Sequence, residues 1–233
     1  MTTKLLLGCL LAVAACQGTD KKPAAPPNEA ASTAATPTTA APAAPSVALT
    51  SPDPAALAAA APQTFNVVFV TSEGEIEVAV ERSLAPHGAD RFYYLASNGF
   101  FTGAHFFRVV RGFMAQFGLS GIPAVDAAFD TLAIKDDPRR ISNEKGTLAF
   151  AMRGPGSRTT QMFINLVDNG PMLDGQGFAP IGRVVRGMDV AEKLFSTYAE
   201  MSNQQGLIMS RGNAWLQQRY PELDSIVTAT VKP

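Results

Sequence analysis

The pattern of apolar and polar residues becomes regular only after residue 63. Residues 65–71 (FNVVFVT) are mostly β-branched or aromatic, and in residues 75–80 glutamates alternate with apolar side chains. Both patterns are typical of β-strands, and the second indicates a strand with one buried face. The intervening residues 72–74 (SEG) favour a tight turn. These segments therefore predict a β-hairpin at the start of the folded region.

Three later segments follow a helical period. Residues 86–99 begin with a proline, which suits a first helical turn, and end in Asn-Gly, which favours a helix stop. Residues 188–198 place apolar side chains at helical spacing, and residues 207–219 predict another helix.

Short apolar runs separated by glycine and proline fill the rest of the folded region. Many short strands with few helices predict a mainly β fold, a closed antiparallel β-barrel capped by two or three α-helices. Residues 119–140 carry no clear pattern. The further predicted strands are residues 105–110, 113–117, 147–152, 161–166, 181–185 and 226–231.

The amino terminus has the pattern of a leader. An apolar run of 11 residues, 5–15, is too short to span a bilayer but suits the centre of a signal peptide. It ends in Val-Ala-Ala-Cys, which resembles the lipobox of bacterial lipoproteins. We expect a lipoprotein signal peptide at 1–15 and a lipidated Cys16. An ordinary secretory signal cleaved at about the same place is the alternative. Gln17, where aspartate would favour the inner membrane, favours the outer membrane.

A compositional break separates this leader from the folded region. Residues 17–62 contain 17 Ala, 9 Pro and 9 Ser or Thr among 46 residues. Prolines at this spacing interrupt helices, and few of these side chains bury apolar area. All the aromatic residues lie at or after Phe65. We predict a disordered tether over 16–62, which begins with the lipidated cysteine, and a folded domain over 63–233.

Composition excludes several classes of function. A formal net charge of −1 and a pI near 6.1 argue against a nucleic-acid partner. The only cysteines are Cys9 and Cys16, so the folded region has no thiol nucleophile. Its two histidines, His87 and His105, form no metal-binding motif. We expect no metal and no cofactor.

Three blocks carry a specific resemblance. They are FFRVVRGFMAQFG at 106–118, GTLAFAMRGPGSRTTQMFINL at 146–166 and LDGQGFAPIGRVVRGMDVAEKL at 173–194. In this order and spacing they resemble the cyclophilin family of peptidyl-prolyl cis–trans isomerases, over roughly residues 65–195. The residue sequences of these blocks are similar to those of bacterial members, and we expect an envelope lipoprotein subgroup.

The resemblance implies a site residue by residue. Arg108 matches the catalytic arginine, and Gln116 matches the residue that bonds the peptide backbone and steadies that arginine. Met172 stands where many members carry an aromatic residue, often tryptophan. The remaining residues implied to bind substrate are Phe113, Met114, Phe163 and Leu173 in the proline pocket, with Ala151 and Gln161 along the groove.

Such a site suits the chemistry. Rotation about an X–Pro bond has a barrier of roughly 18–20 kcal/mol from amide resonance, and no covalent bond breaks. An apolar slot for the ring and a fixed donor for the twisted amide suffice. This explains a site without a nucleophile, a histidine base or a metal.

Two segments depart from the family pattern. Arg153 either points into a subsite beside the proline pocket or is an ordinary solvated loop residue. Residues 199–224 exceed the usual family length, and Trp215 and Tyr220 within them are expected to be packing anchors.

Two functions remain open at this point. The first is an isomerase that assists folding of exported proteins, acting on proline-containing segments from an anchor in the bacterial envelope and facing the periplasm. The second is a non-catalytic module or chaperone that binds such segments. We expect a monomer.

Overall fold

The computed structural model describes residues 46–198 and 201–232. Eight strands form one antiparallel sheet in the order β3-β4-β6-β5-β7-β2-β1-β8. The strands are β1 Thr64–Thr71, β2 Gly74–Glu81, β3 Arg108–Val110, β4 Met114–Phe117, β5 Thr147–Phe150, β6 Met162–Asn165, β7 Pro180–Arg186 and β8 Ile226–Lys232.

Seven α-helices lie within these residues, more than the two or three expected, because short turns fill the connections. The predicted helix at 188–198 ends early, since Leu194 takes an extended conformation with ψ of 137°. The helices are α1 Val47–Thr50, α2 Pro54–Leu57, α3 Pro86–Ser97, α4 Pro123–Phe129, α5 Gly170–Leu173, α6 Met188–Lys193 and α7 Gln205–Arg219, with 3-10 turns at Asp174–Gln176 and Ser202–Gln204.

The predicted hairpin is confirmed, with β1 and β2 paired from Thr64↔Glu81 to Thr71↔Gly74. The antiparallel sheet is confirmed too, but closure into a barrel by a continuous ladder is not. In the described part of the chain, the sheet edges meet at one isolated bridge, His105↔Ser225. The edge strand β3 has only three residues, so it is too short to pair along β8.

The core is built from phenylalanine rings. Phe69 on β1 is 1% exposed, and its ring lies 5.7 Å from Phe101 and 5.5 Å from Phe117, both edge-on. Phe92 of α3 lies 5.6 Å from Phe101. Edge-to-face packing of this kind adds to the free energy gained by burying the rings. The core thus fixes α3 on one side of the sheet.

The tether prediction over 16–62 is wrong for its last part. The side chain of Leu49 in α1 is only 4% exposed. The Tyr94 hydroxyl donates to the Ala48 carbonyl at 2.6 Å, and the Ala61 amide donates to Asp90 at 2.8 Å. Leu49 and Ala61 in the core, Leu57 packed against it and two hydrogen bonds to the domain hold a segment whose own composition predicts no structure. The rest of the tether, the leader and Cys16 lie outside the described residues.

The carboxy-terminal extension has its own small apolar cluster, which fixes α7. Trp215 and Tyr220 pack against this cluster with their rings 5.6 Å apart, as predicted for packing anchors.

No helix among residues 46–198 and 201–232 is long and apolar enough to cross a membrane. The cluster that fixes α7 is formed by side chains from both the sheet region and the extension. The buried members of the cluster are Phe107, Leu119, Met201, Ile208, Leu216 and Leu223.

Candidate active site

The short β3–β4 hairpin aligns the predicted catalytic pair. Arg108 faces Gln116 across the ladder, and the Arg108 Nη1 donates to the Gln116 Oε1 at 3.3 Å. The turn between the strands includes Gly112 with φ of +74°, a conformation that favours glycine. Beyond it, the Phe113 ring centroid lies 5.9 Å from the Arg108 guanidinium carbon. This distance allows a cation–π contact, so the guanidinium is held along one wall of a groove.

An apolar pocket opens beside this guanidinium. Phe163 on β6 pairs with Gln116 on β4, so its side chain lies on the same face of the sheet as Gln116 and lines the pocket together with Arg108. Its ring contacts Phe178 edge-on with centroids 5.6 Å apart. The pocket has a volume of about 240 Å³. It is lined by Arg108, Phe113, Met114, Gln116, Ala151, Met152, Phe163, Leu173, Phe178 and Gln205.

A buried amide network supports the pocket from behind. The Asn169 side chain donates to the Phe113 carbonyl at 2.8 Å and to Asn165 at 2.7 Å. Asn165 in turn donates to the Thr147 hydroxyl at 2.8 Å. The Leu166 amide gives the Phe113 carbonyl a second donor at 2.9 Å. Because Asn169 precedes α5, the network fixes both the aromatic wall and the helix that carries the pocket's leucine.

A row of side-chain amides extends the groove away from the ring pocket. Gln116 Nε2 donates to Gln161 Oε1 at 2.9 Å, and Gln161 Nε2 donates to Gln205 Oε1 at 3.0 Å. A second pocket of about 80 Å³ lies along this row. The lining of the second pocket is Gln116, Ala151, Met152, Arg153, Ser157, Thr159, Gln161 and Gln205.

The loop beside the second pocket is tied down by an ion pair. Arg158 is 4% exposed and pairs with Asp136. The same carboxylate accepts from the Gly156 amide at 2.8 Å. Burial lowers the pKa of Arg158. The pair holds the loop that presents the exposed Arg153 to the second pocket.

Comparison with known proteins agrees with this geometry. The family model described as cyclophilin type peptidyl-prolyl cis-trans isomerase/CLD matches residues 66–211. The chain belongs to this family. The cyclophilin domain is similar to peptidyl-prolyl cis-trans isomerase A of Dickeya dadantii, with 34% identity over 145 residues, covering 60% of this chain and 76% of that protein. It is also similar to peptidyl-prolyl cis-trans isomerase B of Escherichia coli, with 35% identity over 136 residues, 55% of this chain and 82% of that one.

Solved structures share the fold at lower identity. A cyclophilin-type peptidyl-prolyl cis-trans isomerase from Cryptosporidium parvum superposes with a TM-score of 0.55 at 16% identity, covering 73% of this chain and 98% of that one. The same protein in the presence of the dipeptide Ala-Pro gives a TM-score of 0.54 at 16% identity, covering 72% and 99%.

The structure brings all but one of the predicted site residues of this cyclophilin into one groove. Met172 is the exception, because it lies on the outer side of α5 with 53% of its surface exposed. It lines neither pocket. Sequence reasoning missed Phe178 and Gln205. Phe178 stands within the third motif block, so its apolar character was a usable signal, whereas Gln205 lies in the extension without any motif.

Proposed function

We propose that this protein catalyses cis–trans isomerisation of X–Pro peptide bonds in unfolded or exported proteins. The observation that carries the proposal is the Arg108 guanidinium, held by Gln116 at the mouth of an apolar pocket. The relatives named as isomerases support it, as does the related cyclophilin studied with Ala-Pro.

The geometry suits stabilisation of a twisted amide. Phe113, Met114, Phe163 and Leu173 offer an apolar site to a prolyl ring. As the amide twists, its nitrogen loses conjugation and regains a lone pair. The Arg108 guanidinium beside the ring can donate to that nitrogen, and this interaction is stronger in the twisted state than in either planar state. Catalysis then follows from a preorganised donor, with no proton transferred and no bond broken.

Replacement of the guanidinium tests the assignment. In the full chain, Arg108→Ala should lower kcat/KM by about 10²–10³, because one preorganised donor is typically worth that factor. Exchange NMR on a proline peptide measures the rate. Arg111→Ala is the matched control, because Arg111 lies on the same hairpin but donates to Ser196 at 2.7 Å. Equal rates for Arg108→Ala and wild type at matched circular dichroism would overturn the catalytic role and favour a binding module.

We propose further that the protein is a lipoprotein of the bacterial envelope, anchored through Cys16 and facing the periplasm. The apolar run of 11 residues before this cysteine and the Ala/Pro-rich stretch after it support the proposal. Gln17 in place of aspartate supports the outer membrane.

Lipidation is tested with labelled palmitate. Cys16→Ser should abolish labelling and leave the protein released or unprocessed, since the apolar run is too short to span a bilayer. Cys9→Ser, within the same run, should keep both label and membrane association. Incorporation of label into the Cys16→Ser protein would contradict the proposal.

A further inference from the structure

Gln205 occupies an unusual place in this groove. It is the first residue of α7, in the extension that follows the resembling blocks, yet it lines both pockets. Its Oε1 accepts a hydrogen bond from Gln161, whose other amide atom accepts from Gln116. Three amides therefore connect the extension to the partner of the guanidinium.

The direction of these hydrogen bonds favours one orientation of each amide in the row. A glutamine amide has a donor end and an acceptor end. Gln161 can accept from Gln116 only when its Nε2 points the other way, toward Gln205. An acceptor at Gln205 stabilises this orientation. With Gln161 rotated by half a turn, its NH₂ group would face the NH₂ group of Gln116, unless Gln116 also rotated and turned its oxygen away from Arg108.

The helix that carries Gln205 is firmly placed. α7 is broken at Gly212, whose φ of +66° and ψ of −163° are not helical. Directly after the break, the Asn213 amide donates to the Gly121 carbonyl at 2.8 Å, and the Asn213 side chain donates to the Gly103 carbonyl at 2.8 Å. Ile208, one turn into the helix, is 1% exposed. Ile208 therefore fixes the segment that carries Gln205, and Asn213 fixes the chain where that segment ends, which gives Gln205 the defined place that a positioning residue requires.

We propose that Gln205 is a positioning residue for the isomerase reaction, whose side-chain oxygen fixes the amide of Gln161 and, through Gln116, the orientation of Arg108. The inference rests on the proposed function. It gives the extension a role in the catalytic step itself: α7 supplies the last member of the hydrogen-bonded row that aims the guanidinium.

A set of substitutions separates the acceptor from the size of the side chain. Gln205→Met keeps length but removes the acceptor, so kcat should fall about 3- to 10-fold with a smaller change in KM, as expected for one lost hydrogen bond. Gln205→Lys offers only donors and should lower kcat at least as far. Gln205→Glu restores an acceptor and should recover most of the rate. Gln204→Met, whose residue donates to Asn203, is the matched control and should behave as wild type.

Side-chain NMR distinguishes a positioning role of Gln205 from a purely structural one, because it reports directly on the amides of the row. In wild type, the NH₂ signals of Gln116 and Gln161 should be separate and protected, and Gln205→Met should collapse them while backbone signals of the sheet stay unchanged. Wild-type rates in Gln205→Met, or equal losses in the Met and Glu variants, would overturn the role of the acceptor. Failure of the proposed function looks different, because wild type and Arg108→Ala would then be equally inactive while the amide signals still report on Gln205.

Discussion

One polar region lies at the first residue of α7 and a second lies near Asn213, and the two regions differ in the kind of group they contain. The groove row joins a guanidinium to three amides, and neither kind of group changes protonation in ordinary buffers. The second region, beneath the middle of the helix, contains ionisable side chains. Asp126 is 3% exposed and accepts from the Ser120 amide at 2.7 Å, and burial raises its pKa to about 6. Burial lowers the pKa of His105.

Because only the second region contains ionisable groups, pH should affect the free energy of unfolding and leave the rate of isomerisation unchanged. A reaction that moves no proton gains from donors whose charge stays fixed, and the groove has such donors. Ionisable groups in the second region, whose pKa values shift on burial, make the free energy of unfolding depend on pH. Asp126 Oδ2 and His105 Nδ1 have no hydrogen-bond partner within the described residues. Ionisation in the second region should therefore change the free energy of unfolding without changing the rate, whereas substitutions in the groove should change the rate.

The largest effect on stability is expected at Gly121. Its φ is +73°, and an added Cβ would overlap the Asn213 side chain. Gly121→Ala should cost about 2–4 kcal/mol, combining backbone strain with overpacking. Chemical denaturation measures the loss. Because α7 would shift, kcat should also fall, to the level of Gln205→Met and not to that of Arg108→Ala.

Gly156→Ala is the matched control for that experiment. Gly156 also has a positive φ, +70°, but no atom lies within 4 Å of an added Cβ. It should show the strain alone, about 1 kcal/mol, with an unchanged rate. If both alanine variants lose equal stability, packing against Asn213 contributes nothing and α7 is not held there.

Sequence predicts the groove well where a hairpin sets the geometry. Arg108 and Gln116 are eight residues apart on strands joined by a tight turn, so the motif alone places them opposite each other. Gln205 approaches Gln161 over 44 residues, through a helix whose position depends on contacts with Gly103 and Gly121. Such contacts leave no local pattern.

The same reasoning applies to the start of the domain. Leu49 stands in an Ala/Pro-rich stretch that shows no strand or helix period, and its burial depends on helices far along the chain. Composition described this stretch correctly as unable to build a core. It could not show that a core built elsewhere would accept two of its side chains, Leu49 and Ala61. Met172 shows the converse: the motif gave its place in the sequence, but not the outward side of α5.

A smaller effect is expected from Asp126 and depends on pH. Its folded pKa of about 6 lies above its ordinary value of 3.8. Between these values the folded chain binds more protons than the unfolded chain, so this group lowers stability as pH rises. Across this pH range, the contribution of Asp126 to the free energy of unfolding falls by about 3 kcal/mol in total. Asp126→Asn should remove this decline, so its advantage over wild type should grow from about pH 4 to about pH 7.

Urea unfolding at several pH values checks this expectation. Asp130→Asn, an exposed carboxylate four residues further along, is the control and should follow the wild-type profile. Parallel profiles for wild type and Asp126→Asn would show that the buried carboxylate does not make the free energy of unfolding depend on pH.

The smallest effect is expected in the groove itself. Between about pH 6 and pH 8.5, kcat/KM for a proline peptide without ionisable side chains should change less than about twofold. Guanidinium and amide groups keep their protonation state there, and the mechanism transfers no proton. Exchange NMR at each pH, with circular dichroism to verify the fold, measures the profile.

Asp126→Asn should give the same flat profile as wild type even where its stability differs. A bell-shaped profile in both proteins would show that an ionisable group takes part in the reaction. A bell shape in wild type alone would show that the two regions are coupled through α7, which would end the separation of rate from stability.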